Sequence, residues 1–135
     1  MSVNREVSEE VVEDEHGPVK MILIVEDDTE IGEVLVQAVQ SETPNQVTVV
    51  TDGFQALKMV RNIKPQLFVI DYWLPSMNGL ELYDQLHTTE GLEDVPAIFM
   101  SANAPAGELE KRRVYYIKKP FELDELLQAI EKLLA

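Results

Sequence analysis

The stretch VIDYWLPSMNG, Val69 to Gly79, decides the fold, because it closes a strongly apolar run with one carboxylate and then turns at Pro75 and Gly79. Leu67, Phe68, Val69 and Ile70 lead into Asp71 without a polar break, the composition of a short strand buried on both faces of a sheet. A carboxylate inside such a layer is costly unless it is paired or metal-bound. Asp71 is therefore expected at the C-terminal end of its strand, the edge where open parallel sheets hold their ligands.

Working outward, the same alternation of short apolar runs and amphipathic stretches recurs on both sides. Met21 to Val25 reads as a first strand that exits into Glu26, Asp27 and Asp28. Ile31, Val34, Leu35 and Ala38 follow at helical spacing behind an acid-rich first turn, which suits the positive end of a helix dipole. A β-branched strand at Val47 to Val50 leads through Asp52-Gly53 into a helix carrying Ala56, Leu57 and Val60. Beyond Asp71, a helix from about Gly79 to Leu86 precedes a strand at Val95 to Met100, with Pro96 near its start where a missing N–H matters least. A short charged segment at 107–113, a strand at Val114 to Ile117 and a helix carrying Leu123, Leu126, Leu127, Ile130 and Leu133 complete the chain. Five β-α units in succession predict an α/β domain, a doubly wound parallel sheet covered by helices on both faces. Right-handed crossovers then bring all strand exits to one edge. Glu26, Asp27, Asp71, Ser101, Lys118 and Lys119 meet there.

Composition bounds the alternatives. At 135 residues and 45% hydrophobic content the chain supports one core, predicted over residues 21–135. Residues 1–20 carry Glu6, Glu9, Glu10, Glu13, Asp14 and Glu15 around the breaker pair Gly17-Pro18, and read as a disordered acidic arm. A formal charge of -14 argues against phosphate-backbone binding, so no direct DNA contact is expected. No run approaches the roughly 18 apolar residues of a membrane span. The polar, acidic start is unlike a secretory signal, and a soluble cytoplasmic protein is the expectation. The absence of cysteine excludes thiolate chemistry and Cys-based zinc sites.

Converging carboxylates repel unless a cation neutralises them, and an all-oxygen set without His or Cys favours Mg²⁺. Asp28 and Glu30 read instead as helix-capping acids. A carboxylate, a divalent cation, a hydroxyl and a lysine together suit phosphoryl transfer to Asp71.

Residues 21–135 resemble the receiver domain of two-component response regulators. The matching residues are VEDD at 25–28, the D-x-x-x-P-x-x-x-G spacing of Asp71, Pro75 and Gly79, Ser101-Ala102, and Lys119-Pro120-Phe121. The resemblance implies a flavodoxin-like fold with strand order 2-1-3-4-5. It implies that Asp71 accepts a phosphoryl group from a histidine kinase or histidine phosphotransfer protein, in a signalling switch and not an enzyme. It assigns Mg²⁺ to Glu26, Asp27, Asp71 and the backbone carbonyl of Trp73, and gives Ser101 and Lys119 the task of holding the phosphoryl group. It further implies a cis Lys119-Pro120 bond and a switching role for Tyr116, whose competing reading is a ring packed on the last helix. His16 and His87 fall outside the site.

Two other classes fit less well. Phosphohydrolases similar to the haloacid dehalogenase group need an acid two residues past the nucleophile, where this chain has Trp73. A receiver-like scaffold that is never phosphorylated has no physical need for mutually repelling carboxylates. Departures from the family pattern concentrate after Ser101. Only 18 positions separate Ser101 from Lys119, about one helical turn fewer than usual, so helix four is expected to be short. The segment Pro105 to Arg113 is then expected to be loosely held, since a short helix scarcely offsets its nucleation cost. Its Lys111, Arg112 and Arg113 suggest an acidic protein partner in place of the usual symmetric pairing. Trp73, bulky and next to the acceptor, is expected to shield an acyl phosphate.

Overall fold

The computed structural model describes residues 19–103, 106–112 and 114–135. The acidic arm expected over residues 1–20 lies almost wholly outside the described residues, as do Pro105 and Arg113. The elements alternate as β1 (Met21–Val25), α1 (Thr29–Glu42), β2 (Gln46–Val50), α2 (Gly53–Met59), β3 (Leu67–Asp71), α3 (Gly79–Leu86), β4 (Ala97–Ser101), α4 (Ala106–Lys111), β5 (Tyr115–Lys118) and α5 (Leu123–Leu134). The strands form one parallel sheet in the order β2-β1-β3-β4-β5. The fold is the flavodoxin-like one, with a shortened α4.

β1, β3 and β4 occupy the middle of the sheet, and their side chains alternate between two cores. Leu23, Val25, Phe68, Ile70 and Phe99 face the side covered by α2, α3 and α4. Ile22, Ile24, Leu67, Val69, Ile98 and Met100 face α1 and α5. Full burial of side chains of this size is worth about 1.5–3 kcal/mol each, and it is the continuous apolar runs that make a two-faced core possible.

Three of the helices, α1, α2 and α3, begin where the sequence offers an oxygen to their first N–H groups. Asp28 accepts from Glu30 and Ile31, Asp52 from Gln55, and Asn78 forms a reciprocal capping box with Glu81. Asp28 is thereby a cap, as its position behind the first strand suggested.

Strand boundaries differ slightly from the sequence reading. β4 starts at Ala97 rather than Val95, following Pro96, which has no N–H to give a ladder and contributes only its carbonyl, to Phe68. His87 lies at the end of α3, with its ring nitrogens 2.7 Å from the carbonyl oxygens of Tyr83 and Val95. It ties that helix end to the loop that leads into β4 and stands apart from the strand exits.

Candidate functional site

β1 and β3 are adjacent, so their apolar runs end side by side and deliver Glu26, Asp27 and Asp71 to one place. A carboxylate oxygen from each of the three lies within 4.8 Å of the others. Glu26 and Asp71 are buried, with 1% and 7% of their surface exposed, while Asp27 is exposed. Two buried acids at such range ask for compensation, and the chain supplies it from three directions. The Asp28 N–H donates to Glu26 at 3.1 Å and the Trp73 N–H donates to Asp71 at 3.1 Å. Lys119, at the exit of β5, reaches over with its ammonium 3.4 Å from Glu26 and 3.3 Å from Asp71.

The electrostatics follow from this crowding. Burial pushes the Glu26 carboxyl up to about 7; the Asp28 N–H offsets part of the rise, and the Asp71 charge adds to it. Burial by itself would lower the Lys119 pKa, but the Asp71 and Glu26 carboxylates outweigh it and hold the ammonium above its ordinary value. One lysine facing two buried carboxylates leaves the cluster short of positive charge. Three oxygen donors at the mouth of a sheet, with no His or Cys among them, fit a hard divalent cation such as Mg²⁺.

Ser101 ends β4, next to β3, where Met100 is registered against Asp71. It is buried, and its hydroxyl accepts from the Asn103 N–H at 3.1 Å. Its carbonyl accepts from the Lys119 N–H at 2.9 Å and from the Tyr116 hydroxyl at 2.9 Å. The Tyr116 ring packs against the core on the α2–α4 side, opposite α5, which rules out the reading of a ring resting on the last helix. The Lys119-Pro120 peptide is cis.

Local geometry around Asp71 depends on the turn that follows it. The Gly79 N–H donates to the Tyr72 carbonyl at 2.7 Å, and a Cβ at Gly79 would come within 2.9 Å of the Asp71 carbonyl oxygen and the Phe99 ring. Only glycine allows α3 to start so close to β3. Trp73 gives its N–H to Asp71, but its ring is 57% exposed and packs edge-on against Tyr72, with centroids 4.7 Å apart.

One contact of the shortened α4 had no signal in the sequence. Arg112 donates from Nε to Asp84 Oδ1 and from a terminal nitrogen to Asp84 Oδ2, both at 2.9 Å, a bidentate fork between α4 and α3. The same guanidinium donates to the Glu108 carbonyl at 3.0 Å, and the Tyr83 hydroxyl donates to the Arg112 carbonyl at 3.4 Å. Arg112, expected to be available to an acidic partner, is engaged within the domain. Asp84 and Arg112 are 28 positions apart, a separation without any helical or strand periodicity to reveal it.

Among the described residues, no helix is long and apolar enough to cross a membrane. Residues 22–131 match the family of response regulator receiver domains. The chain is 34% identical over 113 residues to the DNA-binding response regulator MtrA of Mycobacterium tuberculosis, covering 81% of this chain and 48% of that protein. It is 35% identical over 117 residues to the response regulator MprA of Mycobacterium leprae, covering 84% of this chain and 50% of that protein. The chain thus spans about half the length of these curated relatives. The receiver domain of the sensor histidine kinase PA1611 of Pseudomonas aeruginosa, solved with magnesium in its active-site cleft, superposes with a TM-score of 0.75 at 28% identity, over 86% of this chain and 98% of that one. The chemotaxis response regulator CheY4 of Vibrio cholerae shares the fold at 18% identity, with a TM-score of 0.77 over 85% of this chain and 98% of that one. With its acidic pocket at Glu26, Asp27 and Asp71, the chain belongs to the response regulator receiver domain family.

Proposed function

We propose that this domain accepts a phosphoryl group on Asp71, in a Mg²⁺-dependent reaction, from the phosphohistidine of a histidine kinase or a histidine phosphotransfer protein. Receiver domains are signalling switches in two-component systems and not enzymes in the ordinary sense. The observation that carries the reading is the meeting of three carboxylates and Lys119 at one sheet edge, with Asp71 buried and still open toward the rim. In the transfer, an Asp71 carboxylate oxygen forms a bond to phosphorus as the P–N bond to the imidazole breaks. The electron pair of that bond stays on the ring nitrogen, which is then protonated.

The chain's own groups divide the work. The Trp73 N–H orients Asp71 by holding one oxygen, which leaves the other as the nucleophile. Lys119 already lies 3.3 Å from that second oxygen and would pair with the incoming phosphoryl oxygens. Ser101, one residue beyond the position registered with Asp71, would donate its hydroxyl to the same group. Glu26, Asp27, Asp71 and the Trp73 carbonyl would hold Mg²⁺, which when bound neutralises charge on the transferring phosphoryl.

Tyr116, bonded to the Ser101 carbonyl, is the residue through which movement of Ser101 would reach the outer face. The acidic arm at 1–20 and the receiver at 21–135 form one cytoplasmic signalling module in this reading. The net charge of -14 favours proteins over DNA as its direct partners. Incubation with a small phosphodonor and Mg²⁺, followed by intact mass, tests the proposal. One phosphoryl adduct that disappears in Asp71→Asn is expected, and an adduct that persists in that variant would overturn it.

A further inference from the structure

α1 has 14 residues and α2 only 7, and the two cover opposite faces of the same sheet edge. On the α1 side Val47 and Val49 of β2 are packed into the core. On the α2 side the short helix leaves an open cleft of about 600 Å³. Its walls are Met21, Val50, Met59 and Ile63, and Lys58 and Asn62 stand among the lining residues. Two methionines in an apolar wall allow it to adapt to different side chains. A parallel sheet ordinarily has both faces covered, so this is an uncovered piece of interior.

The cleft opens beside a free strand edge. Among the described residues, β2 is the outermost strand of the sheet and pairs with β1 alone. The Gln46 N–H donates to Lys20 and the Val50 carbonyl accepts from Glu26, so the even-numbered residues of β2 face β1. By the alternation of a parallel ladder, Val47 and Val49 turn their N–H and C=O groups outward. Such an edge is a template for an added strand, with backbone bonds giving affinity and an adjacent cleft taking alternate side chains. Charge favours one kind of partner. Lys58 lines the cleft and Arg61 is exposed one turn further along, two cations together in a chain whose net charge is -14. A second copy would present the same cations at this edge, and like charges oppose that pairing.

We propose that the β2 edge and the cleft under α2 form a docking site for an extended acidic peptide of a partner protein, which adds a strand beside Val47–Val49, places an apolar side chain in the cleft and sets a carboxylate against Lys58. The site is formed by β1, β2 and α2 and does not include Asp71.

The test uses the full chain and a soluble peptide of the repeat Val-Thr-Glu-Thr, which sets valine and glutamate on the same face of a strand, followed by amide NMR shifts and fluorescence anisotropy. Shifts confined to Val47–Val50 and Gln55–Ile63 are expected. Lys58→Glu should weaken binding about fivefold at low salt, with a smaller effect as salt rises. Val47→Pro removes an outward N–H without touching the ladder to β1, and should also weaken binding about fivefold. A scrambled peptide of the same charge that binds equally well would overturn the strand geometry. No binding at millimolar peptide, or shifts centred on the Asp71 rim, would overturn the site. Binding that appears only after residues 1–18 are deleted would overturn the external partner, since the chain's own acidic segment would then be the occupant.

Discussion

The acidic rim around Asp71 and the face where α4 meets α3 are both reached from the end of β4, and they are held in opposite ways. At the rim Glu26 and Asp71 are buried, at 1% and 7% exposure, and each is fixed by a backbone N–H as well as by Lys119. At the α3–α4 face the side chains of Asp84 and Arg112 are 53% and 25% exposed, and Leu109, buried, anchors the helix to the core. The rim is built by backbone register, with adjacent strands ending together. The α4 face is built by side chains that reach across. A site made by register tolerates little change; a contact made by exposed side chains is worth little and can be broken at small cost.

The sharpest way to test the first half of that comparison is Asp71→Asn. Complete loss of the phosphoryl adduct is expected with the fold intact, because the substitution keeps the shape at the strand end and removes the proposed nucleophile. Intact mass and circular dichroism check the two halves of this expectation. Asp27→Ala should weaken Mg²⁺ strongly and Asp28→Ala little, since Asp28 spends its oxygen on the first N–H groups of α1. Equal losses in calorimetric titrations would show that the rim does not discriminate between neighbouring acids.

Gly79→Ala comes next in size. The added Cβ would meet the Asp71 carbonyl oxygen, the Tyr72 Cα and the Phe99 ring at 2.9 Å, and two of those three are backbone that cannot step aside. A destabilisation of about 2–3 kcal/mol is expected, read from denaturant midpoints. A value near zero would mean that the start of α3 can shift, and that the rim is less rigid than its register implies.

These rim residues were legible in the sequence for a physical reason. Apolar runs that end abruptly in acid, a hydroxyl or a lysine mark strand exits, and the topology carries every exit to one edge. The matching motif added roles to residues that the pattern had already brought together. Tyr116 was only half legible: its position was plain, but whether its ring lies toward α4 or α5 depends on which sheet face it occupies. The Asp84–Arg112 fork was not legible at all. Arg112 read as one of three neighbouring cations, and nothing local distinguished it from Lys111, whose ion pair is a one-turn contact to Glu108. The cleft under α2 was equally hidden, since it follows from a difference in helix length and not from any motif.

The pH dependence of the metal-free protein should sharpen the contrast by a smaller amount. Glu26 is raised from 4.5 to about 7, so the folded state holds a proton that the unfolded state has released. Stability from this group is therefore full below about 4.5, declines as pH rises toward about 7, and levels off above it, with a slope of at most about 1.4 kcal/mol per pH unit. Glu26→Gln should flatten that part of the profile. A slope unchanged in the variant would assign the effect to another group.

The smallest expected effect decides whether the α4 face is held at all by its fork. Asp84 lies below its ordinary pKa chiefly because Arg112 donates to it, with burial acting in the other direction. A lowered carboxylate contributes stability above its unfolded pKa of 3.8 and loses it as pH falls through the lower folded value, so the fork is fully formed at neutral pH. Both ends are exposed enough for solvent to screen them, and a bidentate pair of this kind is worth about 0.5–1 kcal/mol. Asp84→Asn, Arg112→Gln and the double variant form a cycle in which that coupling should appear. Amide exchange over residues 106–112 should quicken in each single variant and no further in the double, because either substitution opens the same contact. If exchange is unchanged in all three, α4 is held by Leu109 alone, and the two regions flanking β4 differ in chemistry but not in how firmly they are tied. If exchange quickens at the Asp71 rim as well, the fork is not a local contact, and the separation between a rigid rim and a loosely tied helix would have to be given up.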